Sequence, residues 1–412
     1  MQLPPQIERF LPLALMLGGL ILIIIYWQQQ TTPTNNNATP ITSLTATPPS
    51  TLTPTLTPTP KGPEPTWTPQ PIIPTATPVT TNTTTQPSSN SNEPISPVII
   101  TPRPPSDWIP QQKRFGMTGA HIYMEPAYNL GLEFGSWLNW WTQTDEIPIP
   151  DKIDFWHMIR VREDGTRPPL TTTIPALTAF PGSYWIIGNE PDVRWQDNTT
   201  PETYAHIYHE AYTFIKQHDP TAQVVIGGVS QSTPLRRQYL DIVIDTYEAH
   251  YGAPMPVDVW NVHAFVLREE RDSWGVDIPP GMDDTNAIQY EIVDHDNRAI
   301  FQQNIIDFRA WMADRGYQDT PLVVTEYGIL LPNDYGFPPE AVEDFMLDSF
   351  DFFSTATNET GYPPDDYHLV QWWFWYSLED PGDYPTGNLY DPKTNTLTPL
   401  GQAYADYLHH ER

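Results

Sequence analysis

Glu190 and Glu326 are the residues on which chemistry would turn. Each stands at the end of a short apolar run: Trp185-Ile186-Ile187-Gly188 precedes Asn189-Glu190, and Leu322-Val323-Val324 precedes Thr325-Glu326. A carboxylate directly after a buried strand is costly unless it faces a polar cleft. Taken singly, either glutamate is accounted for by a solvated strand end. Taken together they supply what glycoside hydrolysis requires, one carboxyl protonated to release the leaving oxygen and one to attack or stabilise the oxocarbenium-like centre. A pair about 5–5.5 Å apart would act with retention, through a covalent intermediate. Such chemistry calls for no cofactor.

For two residues so far apart in sequence to converge, a regular scaffold must carry them. Short apolar runs alternate with helical stretches from Asp107 onward, which argues for parallel strands joined by crossover helices. The clearest strands are Trp185–Gly188, Val224–Gly228, Val257–Phe265, Leu322–Glu326 and Leu369–Trp375. They are continuous apolar runs, as expected of strands covered on both faces. Weaker candidates at Phe115–Tyr123, Gly135–Trp141 and Ile153–Val161 bring the number to eight. Helical periodicity runs over Pro201–Gln217, with Thr200 and Pro201 as a cap and first turn, and over Leu235–Tyr251, Asn297–Arg315 and Pro338–Thr355. Eight βα units predict a closed (β/α)₈ barrel of the TIM type with its chemistry at the C-terminal ends of the strands. Glu190 then ends the fourth strand and Glu326 the seventh, facing each other across the mouth. An open doubly wound sheet is the alternative, and no Gly-rich phosphate loop follows any strand to support it.

The rest of the chain is a different material. Of 412 residues, 50 are acidic, 20 basic, 48 Pro and none Cys, for a net charge of -30. Without Cys there is no disulfide framework, thiolate metal site or thiol nucleophile, and the negative excess disfavours nucleic acid as a partner. Residues 1–106 hold only Arg9, Lys61 and Arg103 against Glu8, Glu64 and Glu93, so the whole imbalance lies in 107–412. Leu11–Trp27 is uncharged and just long enough to cross a bilayer core of about 30 Å. With no small-x-small cleavage site after it, residues 1–30 are expected to be an uncleaved anchor rather than a signal peptide, placing the following chain outside a cell membrane. Residues 31–106, rich in Thr, Pro, Ser and Asn, read as a disordered, extended stalk. Residues 107–412 form the globular domain, expected to be monomeric.

The two glutamate segments resemble known motifs. Gly188-Asn189-Glu190-Pro191 and Thr325-Glu326-Tyr327-Gly328 are similar to the acid/base and nucleophile motifs of clan-A retaining glycoside hydrolases, closest to the glycosyl hydrolase catalytic core group with its endo-β-1,3-glucanase-like members. The resemblance covers roughly 115–408. It implies that Glu190 is the general acid/base and Glu326 the nucleophile, acting on a β-linked polysaccharide or oligosaccharide. It further implies that Asn189 binds a sugar hydroxyl, that His263 sits beside the nucleophile or contacts sugar, and that Trp375 floors the cleavage subsite. Arg160 would hydrogen-bond Glu326 and keep it ionised. His121, Asn139, Trp141 and Tyr327 complete the expected substrate-binding set.

Other signals are weaker. Trp185, Trp260 and Trp311 read as core, whereas Trp141, Trp195 and Trp375, near strand ends, read as cleft. No calcium-loop or zinc-helix motif is present, so no metal is expected. The acidic stretch Leu267–Asp296 has no helical pattern and reads as a loop at the barrel mouth. A non-catalytic polysaccharide-binding surface protein on the same barrel, or a transglycosylase using the same two glutamates, remains open at this level.

Overall fold

Eight apolar runs become eight parallel strands. The computed structural model describes residues 100–142, 152–382 and 384–410. The segments read as anchor and most of the stalk lie outside the described residues, and among the described residues no helix is long and apolar enough to cross a membrane. The strands are β1 (Phe115–Thr118), β2 (Ser136–Leu138), β3 (Asp154–Arg162), β4 (Tyr184–Ile187), β5 (Gln223–Ile226), β6 (Trp260–Val262), β7 (Leu322–Tyr327) and β8 (Trp372–Trp375). They pair in the order β5-β4-β3-β2-β1-β8-β7-β6. Parallel bridges Val225–Val259 and Val229–Val262 join β5 to β6 and close the ring. The (β/α)₈ barrel expected from the alternation is therefore the architecture.

Helices α1 (Met124–Asn129), α2 (Ile174–Ala179), α3 (Pro201–His218), α4 (Pro234–Tyr251), α5 (Arg298–Asp314), α6 (Pro339–Thr355) and α7 (Pro399–His410) are the described α-helices of the connections and the C-terminus. Capping chemistry sets several of their ends. The Thr233 hydroxyl accepts from the Arg236 amide at the start of α4, and Gly252 (φ 68°) closes it in the left-handed region. At α3 the expected Thr200 cap is only a backbone one. Its hydroxyl donates to Thr203, while its amide donates to Glu163. After β3, where a helix would follow in a regular unit, the chain instead folds back through Gly165–Arg167, antiparallel to β3, before the short α2.

Strand alternation sorts the core into two layers. Leu138, Trp156, Met158, Ile186, Val225, Val259, Val323, Trp372 and Phe374 fill the barrel interior, while a larger set, including Trp185, Trp260, Trp373 and Trp375, lies between strands and helices. Gly116 on β1 leaves room for the Phe374 ring, which a Cβ would meet at 2.4 Å. The N-terminal end of the barrel is sealed by Trp108, edge-on to Trp372 and Tyr362 at 5.3 and 5.2 Å. The fold also takes in residues assigned from sequence to the stalk. Thr101–Pro102 pairs antiparallel with Ala356–Thr357, and the Ser106 hydroxyl bonds the buried carboxylate of Asp365.

One buried group makes the core sensitive to acid. His157 on β3 is fully buried, stacked on Trp185 at 4.3 Å, with no hydrogen-bond partner on either ring nitrogen among the described residues. Burial lowers its pKa from 6.5 to about 3. The unfolded chain thus takes up a proton that the native chain refuses. Stability is full above the unfolded value and falls as pH drops from 6.5 toward 3, by about 1.4 kcal/mol per unit. His157→Phe keeps the stack and removes the titration. Its Tm should fall less steeply than the parent's on acidification below about pH 6.5, as followed by circular dichroism. Equal slopes in the two chains would contradict the assignment.

Candidate active site

Glu190 lies just beyond β4, where the backbone leaves the strand through two left-handed residues, Gly188 (φ 91°) and Glu190 itself (φ 45°). A glutamate in that region is uncommon. Several contacts hold it there. The Glu190 amide donates to the Gly228 carbonyl at 3.0 Å, and the Asn189 amide donates to Asp197 at 2.8 Å. Asp197 is fully buried and gathers more donors from the end of β3, namely the Val161 amide and the guanidinium groups of Arg160 and Arg162. One carboxylate thereby fastens the end of β3 to the corner that carries Glu190.

Glu326 reaches the same mouth by a different device. The register of β8 against β7 shifts between Trp373–Val324 and Trp375–Tyr327, so that one extra residue of β7 is accommodated as a bulge. Val323 faces the interior, Val324 and Tyr327 face the helices, and Thr325 hydrogen-bonds Asn261. The bulge resets the alternation and brings Glu326 inward, where strict period-two alternation would have placed it on the helix side.

His263, just past β6, joins the two carboxylates. Its Nδ1 is 3.0 Å from Glu190 Oε1, and its Nε2 is 3.7 Å from Glu326 Oε1. The ring fits only because residue 228 is glycine, where a Cβ would stand 2.6 Å from the imidazole. All three groups are buried, with Glu190 and Glu326 exposed by 8% and 6%. Burial works against a charged His263, but Glu326, Glu190 and Asp192 outweigh it and raise the imidazole above its ordinary value. Burial likewise raises Glu326. Glu190 adds to that rise, while His263, the Trp140 N–H and Arg160 oppose it.

The structure divides the expected site residues. It brings Glu190, Asn189, His263 and Glu326 together. Asn189 is buried, and its Oδ1 has no partner among the described residues. Arg160 does not hydrogen-bond Glu326. It is spent on Asp197 and Gln196, and acts on Glu326 only through its charge. Trp375 is not a cleft floor, because Trp372 and Phe374 occupy the inward positions of β8. Its ring is fully buried on the helix side, with the indole N–H donating to Gly387. Tyr327 is likewise turned away by the bulge and packs on Phe353 and Trp375. Asn139 accepts from the Trp141 amide, and Trp141 is open to solvent. His121 begins a 3₁₀ turn beyond β1.

Two aromatic residues not singled out from sequence border the carboxylates. Trp140 donates its indole N–H to Glu326 Oε1 at 2.6 Å, and Tyr376, next after β8, lies 6.0 Å from the Trp140 ring. Asn139 ahead of the Trp140-Trp141 pair is a turn signal, but it does not say which of the two tryptophans turns inward.

The segment after β6 contains no α-helix and is pinned at its base. The fully buried Arg236 of α4 lies 3.0 Å from Asp192 and 3.4 Å from Glu269, and Glu269 also accepts from Gln231, Thr233 and the Ile288 amide. Beyond that anchor, Leu267 and Val276 pack with Val193 and Phe265, with Tyr376 against them. The loop expected at the mouth thus touches the aromatic residue beside the carboxylates.

No family model matches the chain, and no curated protein matches it. Solved structures do. A GH128 (subgroup II) endo-β-1,3-glucanase from Sorangium cellulosum is 17% identical over 71% of this chain and 97% of its own, with a TM-score of 0.47. A second of the same subgroup, from Pseudomonas viridiflava, is 17% identical over 71% and 96%, with a TM-score of 0.49. A subgroup I endo-β-1,3-glucanase from Amycolatopsis mediterranei, in complex with laminaritriose, is 16% identical over 71% and 99%, with a TM-score of 0.45.

Proposed function

We propose that the chain is a retaining glycoside hydrolase acting on a β-linked glucan. The observation that carries this reading is the pair of buried carboxylates at the ends of β4 and β7, placed on opposite nitrogens of His263. Their surroundings support a division of roles. Glu326 accepts a short N–H donor, which favours its ionised form as nucleophile. Glu190 is left the role of general acid/base. In the first step Glu190 gives a proton to the glycosidic oxygen as the bond to the anomeric carbon breaks and a Glu326 oxygen bonds to that carbon. In the second, the Glu190 carboxylate takes a proton from water, whose oxygen displaces Glu326. The unpartnered Asn189 Oδ1 is suited to receive a sugar hydroxyl. The uncharged run Leu11–Trp27 and the Pro/Thr-rich stretch after it support an extracytoplasmic, membrane-tethered setting.

The test is cleavage. The full chain is incubated with β-1,3-glucan, β-1,4-glucan, xylan and mannan, and released reducing ends are measured beside Glu190→Ala and Glu326→Ala. Cleavage of β-1,3-glucan abolished by both substitutions is the expected result. Tight binding without cleavage, unaffected by Glu326→Gln, would replace the reading with that of a carbohydrate-binding surface protein.

A further inference from the structure

His263 and the two carboxylates stand at or directly past the ends of β4, β6 and β7. Trp140 comes two residues beyond β2, on a turn of its own. It follows β2 in the left-handed region (φ 61°), a conformation that is costly for a bulky aromatic residue and persists only when its surroundings impose it. Those surroundings are visible. Asn139 Oδ1 accepts from the Trp141 amide across the turn. The Met158 amide donates to the Trp141 carbonyl at 2.9 Å, and the Thr142 hydroxyl donates to the Met158 carbonyl. The turn is thus tied to β3 on its far side. Its product is a half-buried indole whose N–H meets Glu326 Oε1 at 2.6 Å.

We propose, on the reading of Glu326 as nucleophile, that Trp140 is the positioning residue for that carboxylate: its indole N–H fixes Oε1 and leaves Oε2 as the oxygen that bonds to the anomeric carbon. The same Oε1 is the one nearest His263 Nε2, so both neighbours restrain one oxygen. The contact also has an electrostatic side. Glu326 is faced by His263 beyond β6, Glu190 beyond β4, Arg160 on β3, Trp140 beyond β2 and Tyr376 beyond β8. Burial and Glu190 disfavour its charge, and the Trp140 N–H is among the groups that favour it. Strain in the β2 turn is therefore matched to a donor that the strand itself could not deliver.

Trp140→Phe removes the donor and keeps a ring. Two readouts separate positioning from mere packing. One is the carboxylate band of Glu326 in difference infrared spectra of the full chain, assigned as the band lost in Glu326→Gln. The other is the acid limb of the kcat/KM profile. Both midpoints should rise by about one pH unit in Trp140→Phe. If the substitution disturbs folding, as near-ultraviolet circular dichroism would reveal, Asn139→Ala loosens the turn instead. It should move the same midpoints upward by less. An infrared midpoint unmoved in a folded variant overturns the proposal, even if kcat falls. A midpoint that moves in a chain that cleaves no glucan sustains the Trp140 contact and overturns the hydrolase reading alone.

Discussion

Glu326→Gln is expected to lower kcat by at least about 10³-fold on every substrate that the unmodified chain cleaves, whatever the leaving group. The glutamine keeps the size of the side chain and loses the oxygen nucleophile. Glu190→Ala should behave differently. On a polysaccharide, whose leaving oxygen needs a proton, it should lose roughly 10²–10⁴-fold. On an aryl glycoside with an acidic phenol the first step needs no proton and should survive. The glycosyl-enzyme would then accumulate, because no carboxylate remains to activate water, and phenol would appear as a burst of one equivalent followed by a slow phase. Azide, an anion that needs no base, should restore turnover in Glu190→Ala and not in Glu326→Gln. Equal losses for both substitutions on the acidic phenol would remove the division of roles drawn from the donors around each carboxylate.

The second large effect is one of stability, at the opposite end of the barrel. Asp365 is fully buried and receives both terminal nitrogens of the buried Arg114, at 2.6 and 2.8 Å, with further bonds from Ser106 and Gln371. Burial pushes its carboxyl up, yet Arg114, Ser106 and Gln371 hold it below the ordinary carboxylate range. Asp365→Ala strands the Arg114 guanidinium without its counter-charge in a dry site, which costs about 3–5 kcal/mol. For a domain of this size that corresponds to roughly 5–15 °C in Tm. The loss should be recovered in part by Arg114→Met in the same chain, because an apolar pair avoids the desolvation that the ion pair must offset. A Tm within a degree or so of the parent for Asp365→Ala alone would mean that water reaches this site. Since residues 101–106 join the network through Ser106, the same substitution should expose that segment to proteolysis.

What sequence alone determined follows from chemistry that is local. Apolar runs long enough to be strands, Pro and capping residues at helix starts, and carboxylates too costly to bury without a task gave eight strands, the four longest helices, the barrel, and Glu190 and Glu326 as the carboxylates at the ends of its fourth and seventh strands. Asn189 and His263 came with the motifs around them. The tertiary structure decided which way neighbouring side chains face, because that depends on pairings between strands distant in sequence. A bulge of β7 against β8 turns Glu326 inward and Tyr327 outward. Alternation on β8 buries Trp375 and leaves Tyr376 at the mouth. A left-handed turn tied to β3 selects Trp140 over Trp141 as the partner of Glu326. Arg160 was expected at Glu326, but the deeper carboxylate of Asp197, supplied by the loop after β4, captures it first. At β7 and β8 a one-residue change of phase moves a side chain to the other face of a strand, and only the neighbouring strand fixes that phase.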